Sequence, residues 1–367
     1  MKKETSNQKL FTLGPVEMFE YTKERRLGQL PYFRTEEFSD INLECADRLK
    51  RLTGAPEDAH VFLLTSSGTG AMEAVVSGCF RGEDRLLIVD GGGFGHRFSE
   101  LAAHHDIPHK CINLKFGEAL RPEKLDEAAE DESFTGLLFN QHESTTGQLY
   151  DKDLTAAFCR AHGLYQVNDA VASFLADPLD FDEDGTDALI ISSQKALALP
   201  PGLAIVILSD RIYQKILEQD IRPCSLYFDF QEAEANAIRG QTPFTPAVGT
   251  ILALRERLEK LEEKGGAEAS VRRTKELAED FRGRIKMLLD RGFIDLPPYT
   301  LSNACTPLIF PMGGAKEVYE KLSQGHGVWL NPNGGALADK VLRVGHLGNL
   351  TKDDNEMLAG LLSDILT

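Results

Sequence analysis

The stretch Val61-Phe62-Leu63-Leu64-Thr65-Ser66-Ser67-Gly68-Thr69-Gly70-Ala71-Met72-Glu73 carries the decision about fold. Four apolar residues run without a polar break, a small polar turn follows, and an apolar helix-length segment (AMEAVVSGCF) begins. A continuous apolar run of this length suits a strand buried on both faces, and strands of that kind belong to parallel sheets covered by helices. The pattern repeats along the chain. Arg85–Val89 (RLLIV), Gly136–Phe139 (GLLF), Ala188–Ile191 (ALII) and Leu203–Leu208 (LAIVIL) are short apolar runs, most of them bounded by Gly, Asp, Ser or Pro. Glu123–Ala129 and Leu154–His162 lie between them with amphipathic spacing. Alternation of this sort predicts an α/β fold with a mainly parallel sheet.

After about Thr245 the texture changes. Thr250–Lys264 and Glu268–Asp290 are charged and helical in period, with Glu-to-Lys and Glu-to-Arg pairs along their faces, and Gly265-Gly266 marks a corner between them. Strand-like pieces at Pro307–Pro311 and Lys340–Val344 then suggest a smaller α+β unit. The expected organisation is an N-terminal segment over 1–20, a large domain over 21–250 and a small C-terminal domain over 251–367.

Composition bounds the partners. The 367 residues are 42% hydrophobic and 26% charged, which is ordinary for a globular chain of two or three domains. Forty Lys and Arg against 57 Asp and Glu give a net charge of −17, which repels phosphate backbones and anionic lipid, so neither nucleic acid nor a membrane surface is expected. No apolar run is long enough for a membrane span, and the start MKKETSNQKL has no apolar leader core. Cys45, Cys79, Cys111, Cys159, Cys224 and Cys305 are scattered without a CxxC pair, as expected of core thiols in a reducing cytoplasm rather than of a disulfide framework or zinc site. His96, His142 and His346 have no paired ligand spacing and are read as structural or pocket-lining, with no metal expected.

Three segments could carry chemistry. At Thr65–Glu73 the unpaired N–H groups of the helix start could cradle a phosphate, with plain N-capping by Ser or Thr as the competing explanation. In Tyr165–Ser173 (YQVNDAVAS), Asp169 ends an apolar strand, where a carboxylate needs a cation or donor; a protonated pyridine nitrogen would suit it, and so would a role as N-cap. In Ile190–Leu197 (IISSQKAL), Lys195 follows a buried strand among small residues, where desolvation would lower its amine pKa as Schiff-base chemistry requires; the alternative is a snorkelling side chain.

In this order the motifs resemble a class V aminotransferase, a fold-type-I enzyme using pyridoxal 5′-phosphate (PLP), of the alanine/serine–glyoxylate and 2-aminoethylphosphonate–pyruvate group. SSGTGAMEA is similar to that family's phosphate loop, HESTTG to its substrate-side loop, SSQKALALPPG to its lysine signature and KVLRVGHLGN to its carboxylate-binding arginine motif, with Gly14-Pro15 matching an N-terminal turn. The resemblance implies a seven-stranded, mainly parallel sheet in the large domain and a homodimer with shared active sites. It also implies that Lys195 carries the cofactor and shuttles the proton, while Asp169 holds the pyridine nitrogen protonated. Ser67, Gly68 and Thr69, with Gln194, would hold the phosphate; Phe94 and Val171 would pack on the two ring faces, and Ser144 would sit near the ring oxygen. Arg343 would clamp the substrate anion, and Thr245 would reach the phosphate of the neighbouring subunit. Phe33, where His is frequent, and Thr242, where some members have an aromatic residue, depart from the pattern.

The reaction so implied moves an amino group from a small donor, alanine or serine ahead of 2-aminoethylphosphonate, to glyoxylate or pyruvate. A long dicarboxylate would want a second cation, for which only Arg34 and Arg97 are candidates. A lyase, an epimerase or a desulfurase on the same scaffold is the rival enzymatic reading, with Cys305 the positional candidate for a desulfurase thiol. A binding protein that has abandoned turnover would have no need of Lys195, Asp169 and Arg343 together.

Overall fold

The computed structural model describes residues 8–24, 29–130, 132–223 and 225–367; Cys224 and the start of the N-terminal segment lie outside them. Seven strands form the central sheet: β1 (His60–Leu64), β2 (Leu86–Asp90), β3 (His109–Asn113), β4 (Gly136–Asn140), β5 (Tyr165–Asp169), β6 (Ala188–Ser192) and β7 (Ala204–Leu208). Their order is β1-β7-β6-β5-β4-β2-β3, and only β7 runs antiparallel to its neighbours. β4, β6 and β7 are buried at every residue, as their unbroken apolar character requires.

Alternate residues of each strand feed opposite faces. Leu86 and Ile88 of β2 pack with the helices α1 (Gly68–Cys79) and α2 (Gly93–His104), whereas Leu87 and Val89 pack with the helices Pro122–Ala129 and Lys152–His162. α2 lies so close to the sheet that a Cβ on Gly95 would fall 2.4 Å from the Val89 carbonyl oxygen.

The charged helix α3 (Val248–Glu263) turns Ile251, Leu254, Leu258 and Leu261 into the same apolar cluster as Ile191, Ile205 and Ile207 of the sheet. We therefore take the division between the two units to fall at the Gly265-Gly266 corner rather than at residue 250. α4 (Gly266–Arg284) follows, and the expected run to Asp290 is broken at Ile285, which is fully buried and leads into a separate turn, Lys286–Asp290. The break turns both Ile285 and Leu288 inward. The C-terminal unit has its own core, in which α4 and α5 (Lys352–Leu366) cover an antiparallel sheet containing Cys305–Ile309 and Val341–Gly345.

The N-terminal segment joins the C-terminal unit. Lys9–Leu10 pairs in parallel with Val328–Trp329, Phe11 is fully buried in the C-terminal core, and the Gly345 N–H donates to the Phe11 carbonyl. Among the described residues no helix is long and apolar enough to cross a membrane.

Because Gly95 faces backbone rather than a yielding side chain, Gly95→Ala should lower unfolding free energy by about 1–3 kcal/mol, the usual cost of overpacking. A denaturant midpoint equal to that of the parent would show that α2 can lift off the sheet freely.

Candidate active site

The polar turns at the carboxyl ends of the parallel strands converge, where open α/β sheets place their ligand sites. Ser192 ends β6, and the chain then turns tightly through Lys195: the Ser193 hydroxyl donates to the Pro200 carbonyl at 2.7 Å, and the Ala198 N–H donates to the Lys195 carbonyl at 2.7 Å. Ala198 holds a left-handed φ of 55°, an unfavourable conformation for a residue with a Cβ. From the C-terminal side, Arg257 of α3 donates to the carbonyls of Ala196 and Leu197. The N-terminal segment closes over the lysine: a Cβ on Gly14 would lie 2.6 Å from Lys195 Cδ and 3.0 Å from Nζ. Burial pushes the Lys195 ammonium down to about 8, although the Asp169 charge opposes the shift.

Asp169 is buried at the end of β5. The Val171 N–H donates to Oδ1 at 2.9 Å and the Asn140 side-chain amide to Oδ2 at 2.5 Å. Asn140 stands directly opposite Asp169 in the parallel β4–β5 register. Burial pushes the Asp169 carboxyl up to about 6, with the two hydrogen bonds and Lys195 pulling the other way.

The phosphate-loop candidates lie beside this pair. Ser67 caps α1 by accepting from the Gly70 N–H, leaving the first-turn N–H groups of Gly68 and Thr69 without intrahelical acceptors. A Cβ on Gly68 would come within 3.0 Å of Val171 Cγ2 and 3.5 Å of Ser192 Cβ, so the three motif segments meet there. Gln194 accepts a hydrogen bond from the Ser192 hydroxyl. Thr245 is exposed; two residues on, the Ala247 N–H donates to Thr65 Oγ1 at 2.9 Å.

Glu143 has a role that the sequence did not announce. Gly92 gives α2 no side-chain cap, and the buried Glu143 carboxylate takes that place by accepting from the Phe94 and Gly95 N–H groups at 3.2 and 3.0 Å. It also accepts from the Thr145 N–H at 2.9 Å, which ties the half-buried Phe94 to the HESTTG loop. In the same loop the Ser144 carbonyl accepts from Arg343 Nη1 at 2.7 Å, and Pro332 accepts from Nη2 at 2.8 Å. Arg343 Nε is buried without a partner. His142 is buried beside this group; burial, with Lys195 and Arg343 nearby, pushes it down to about 3, so its ring is neutral. His346 is likewise buried and pushed down, and hydrogen-bonds Thr306, whereas His96 pairs with Asp90 at the surface.

Of the sequence candidates, Lys195, Asp169, Val171, Gly68, Ser144 and Arg343 are brought together; Gly14 of the Gly14-Pro15 turn and His142 and Glu143 of the HESTTG loop join them, as does Asn140, which no linear motif singled out. Asn140 had one signal, a polar residue ending the apolar run LLFN, but its partner depends on strand register.

Lys195 and the buried Asp169 thus lie at the carboxyl edge of the parallel sheet, with the Arg343 guanidinium close by, an arrangement suited to a transaminase of the fold-type-I class. The chain matches the Aminotransferase class-V family over residues 29–334 and belongs to it. It is 29% identical over 366 residues to the 2-aminoethylphosphonate–pyruvate transaminase of Vibrio vulnificus, covering 96% of each chain. It is 28% identical over 315 residues to the alanine–glyoxylate aminotransferase of Oryctolagus cuniculus, covering 84% of this chain and 80% of that one. The solved structure of a subgroup IV aspartate aminotransferase from Thermus thermophilus superposes with a TM-score of 0.87 at 26% identity, covering 98% and 99%.

The family depends on PLP, and the residues present fit it. Gly68 leaves room that a Cβ would fill, the α1 start offers free N–H groups to a phosphate, and Asp169 is a buried acceptor suited to a pyridine N–H.

The buried carboxylate has a measurable cost. Its folded pKa lies above the ordinary 3.8, so the ionised form destabilises the cofactor-free protein above about pH 6, and the penalty fades as pH falls toward 4. The shift corresponds to roughly 3 kcal/mol at most. Asp169→Asn should therefore raise the melting temperature of cofactor-free protein at pH 8, with the gain shrinking between pH 6 and pH 5. A lower melting temperature at pH 8 would mean that the charge is stabilised in place.

Proposed function

We propose that this transaminase moves an amino group from a small donor such as alanine or serine to glyoxylate or pyruvate, using PLP held at Lys195. The observation that carries the substrate class is the state of three arginines. Arg343 is fixed by two carbonyls beside Ser144 and retains a buried, unpartnered Nε, a donor suited to one carboxylate. Arg34, an exposed residue, is turned onto Gln241 Oε1 and the carbonyls of Thr242 and Pro243, and Arg97 pairs with Glu100 at the surface. Neither shares a hydrogen-bond partner with Arg343 among the described residues, which favours a substrate with one anionic group.

When bound, PLP supplies the conjugated ring that accepts the electron pair of the substrate's breaking Cα–H bond. The protein does the rest. Lys195, lowered to about 8, holds a usable fraction of neutral amine near neutral pH and can accept the Cα proton. Asp169, steadied by Asn140 and the Val171 N–H, offers its carboxylate to the ring nitrogen. Phe94 and Val171 would shield the two ring faces from water. Ser67, Gly68, Thr69 and Gln194 would hold the phosphate, and Ser144 would serve the ring oxygen.

A phosphonate also presents paired oxygens to a guanidinium fork, so 2-aminoethylphosphonate with pyruvate is the second reading, and the Vibrio vulnificus relative supports it. The desulfurase reading is weaker: Cys305 is buried in a strand and burial pushes its thiol up to about 12, leaving little thiolate.

The dimer is part of the proposal. Thr245 adjoins the exposed, stacked pair Tyr227–Phe244, and Leu226 and Ile238 are exposed as well, apolar area suited to burial against a second copy.

Borohydride treatment of the cofactor-loaded protein should label Lys195, and alanine or serine should bleach the bound aldehyde while glutamate leaves it unchanged. Arg343→Lys should raise KM for the keto acid by about tenfold or more through loss of the planar fork. Label on another lysine would overturn the cofactor assignment; best turnover with glutamate and 2-oxoglutarate would overturn only the substrate class. Light scattering should give a dimer, and a fully active monomer would contradict the shared site.

A further inference from the structure

A second group of cations lies outside the residues assigned above. A cavity of about 130 Å³ opens at the start of α4, its lining including Phe19, Arg257, Lys264, Gly266, Ser270 and Arg273. All three cations surround one ring: Arg257 lies 4.3 Å from the Phe19 centroid, and Lys264 and Arg273 each lie 6.0 Å away. Among the described residues none of the three is ion-paired with a carboxylate, and no carboxylate lines the cavity. That is unexpected in a chain of net charge −17.

The hydrogen bonds of the two guanidiniums do not remove the charge. Arg257 donates to Ala196 O, Leu197 O and the Tyr21 hydroxyl, and Arg273 to Gly348 O and Leu350 O. Neutral carbonyls orient a guanidinium but leave its charge uncompensated, and one phenyl ring has only two faces to offer three cations. Arg257 is 4% exposed, so water does little to screen it, and Arg273 repels it further. The start of α4 adds to the same field, because its N-cap is Gly265 and no side chain satisfies the first-turn N–H groups beside Gly266, which lines the cavity.

We propose that this cavity binds a small multivalent oxyanion of the phosphate class, either inorganic phosphate or the terminal phosphate of a small metabolite. The volume is ample for a tetrahedral oxyanion. Arg257 supplies the buried charge, Arg273 and Lys264 flank it, and the first-turn N–H groups of α4 supply neutral donors. The site is distinct from the cofactor's phosphate cradle at α1, and it stands whether or not the donor proposed above is correct.

The test is isothermal titration of the cofactor-loaded enzyme with inorganic phosphate, in which the cofactor's own phosphate occupies the α1 cradle. One saturable site per chain is expected, with sulfate competing and chloride at equal ionic strength not competing. Lys264→Gln, at an exposed position, and Arg273→Gln should each weaken binding about tenfold or more, whereas Arg343→Lys should leave it unchanged. If Arg273→Gln fails to fold, Lys264→Gln decides alone. Loss of binding in Arg343→Lys would place the ion in the substrate site. Indifference to Lys264→Gln, or uptake matched by chloride, would mean an adventitious ion only; each of these results overturns the proposal.

Discussion

A carboxylate buried at the end of a strand is the constraint on which the site depends. Asp169 is shut away from solvent, so its position is tolerable only where two donors reach it, one from the neighbouring strand and one from the turn after its own. Asn140 reaches Oδ2 because β4 and β5 are parallel and in register at their last residues. The Val171 N–H reaches Oδ1 because the chain turns immediately after the strand. A slip of one residue between β4 and β5 would turn Asn140 to the other face and leave the carboxylate short of a donor.

The same burial organises the neighbouring charges. It moves Lys195 down and Asp169 up, bringing an amine and a carboxyl that ordinarily titrate far apart to about 8 and about 6. His142, held neutral between Lys195 and Arg343, adds no third positive charge to that pocket. Glu143 spends its carboxylate on the open end of α2, so the backbone that carries Phe94 is held by charge-assisted hydrogen bonds.

What is legible in the sequence is local. Lys195, Asp169 and Gly68 each follow an apolar run and open a small polar turn, a signal that needs no knowledge of neighbours. Asn140 and Gly14 acquire their meaning only from register and from approach across the fold. Arg34 illustrates the converse, because its type and place suggested a second anion clamp while three acceptors in 241–243 fix its orientation onto that segment. The boundary near 250 follows a change in surface charge, but a helix's solvent face does not tell which core its apolar stripe joins, and that of α3 joins the sheet.

The pairing of Lys9–Leu10 with Val328–Trp329 also sets a schedule. A ribosome delivers Lys9–Leu10 before any strand of the central sheet, yet its partner emerges only after all seven of them. The sheet that carries Lys195 can collapse while Val328–Trp329 is still to be made, but the strand pairing that anchors the segment bearing Gly14 must wait for it. Closure over the lysine is thereby coupled to synthesis of the C-terminal unit, and a chain interrupted before residue 328 keeps the lysine without an anchored cover.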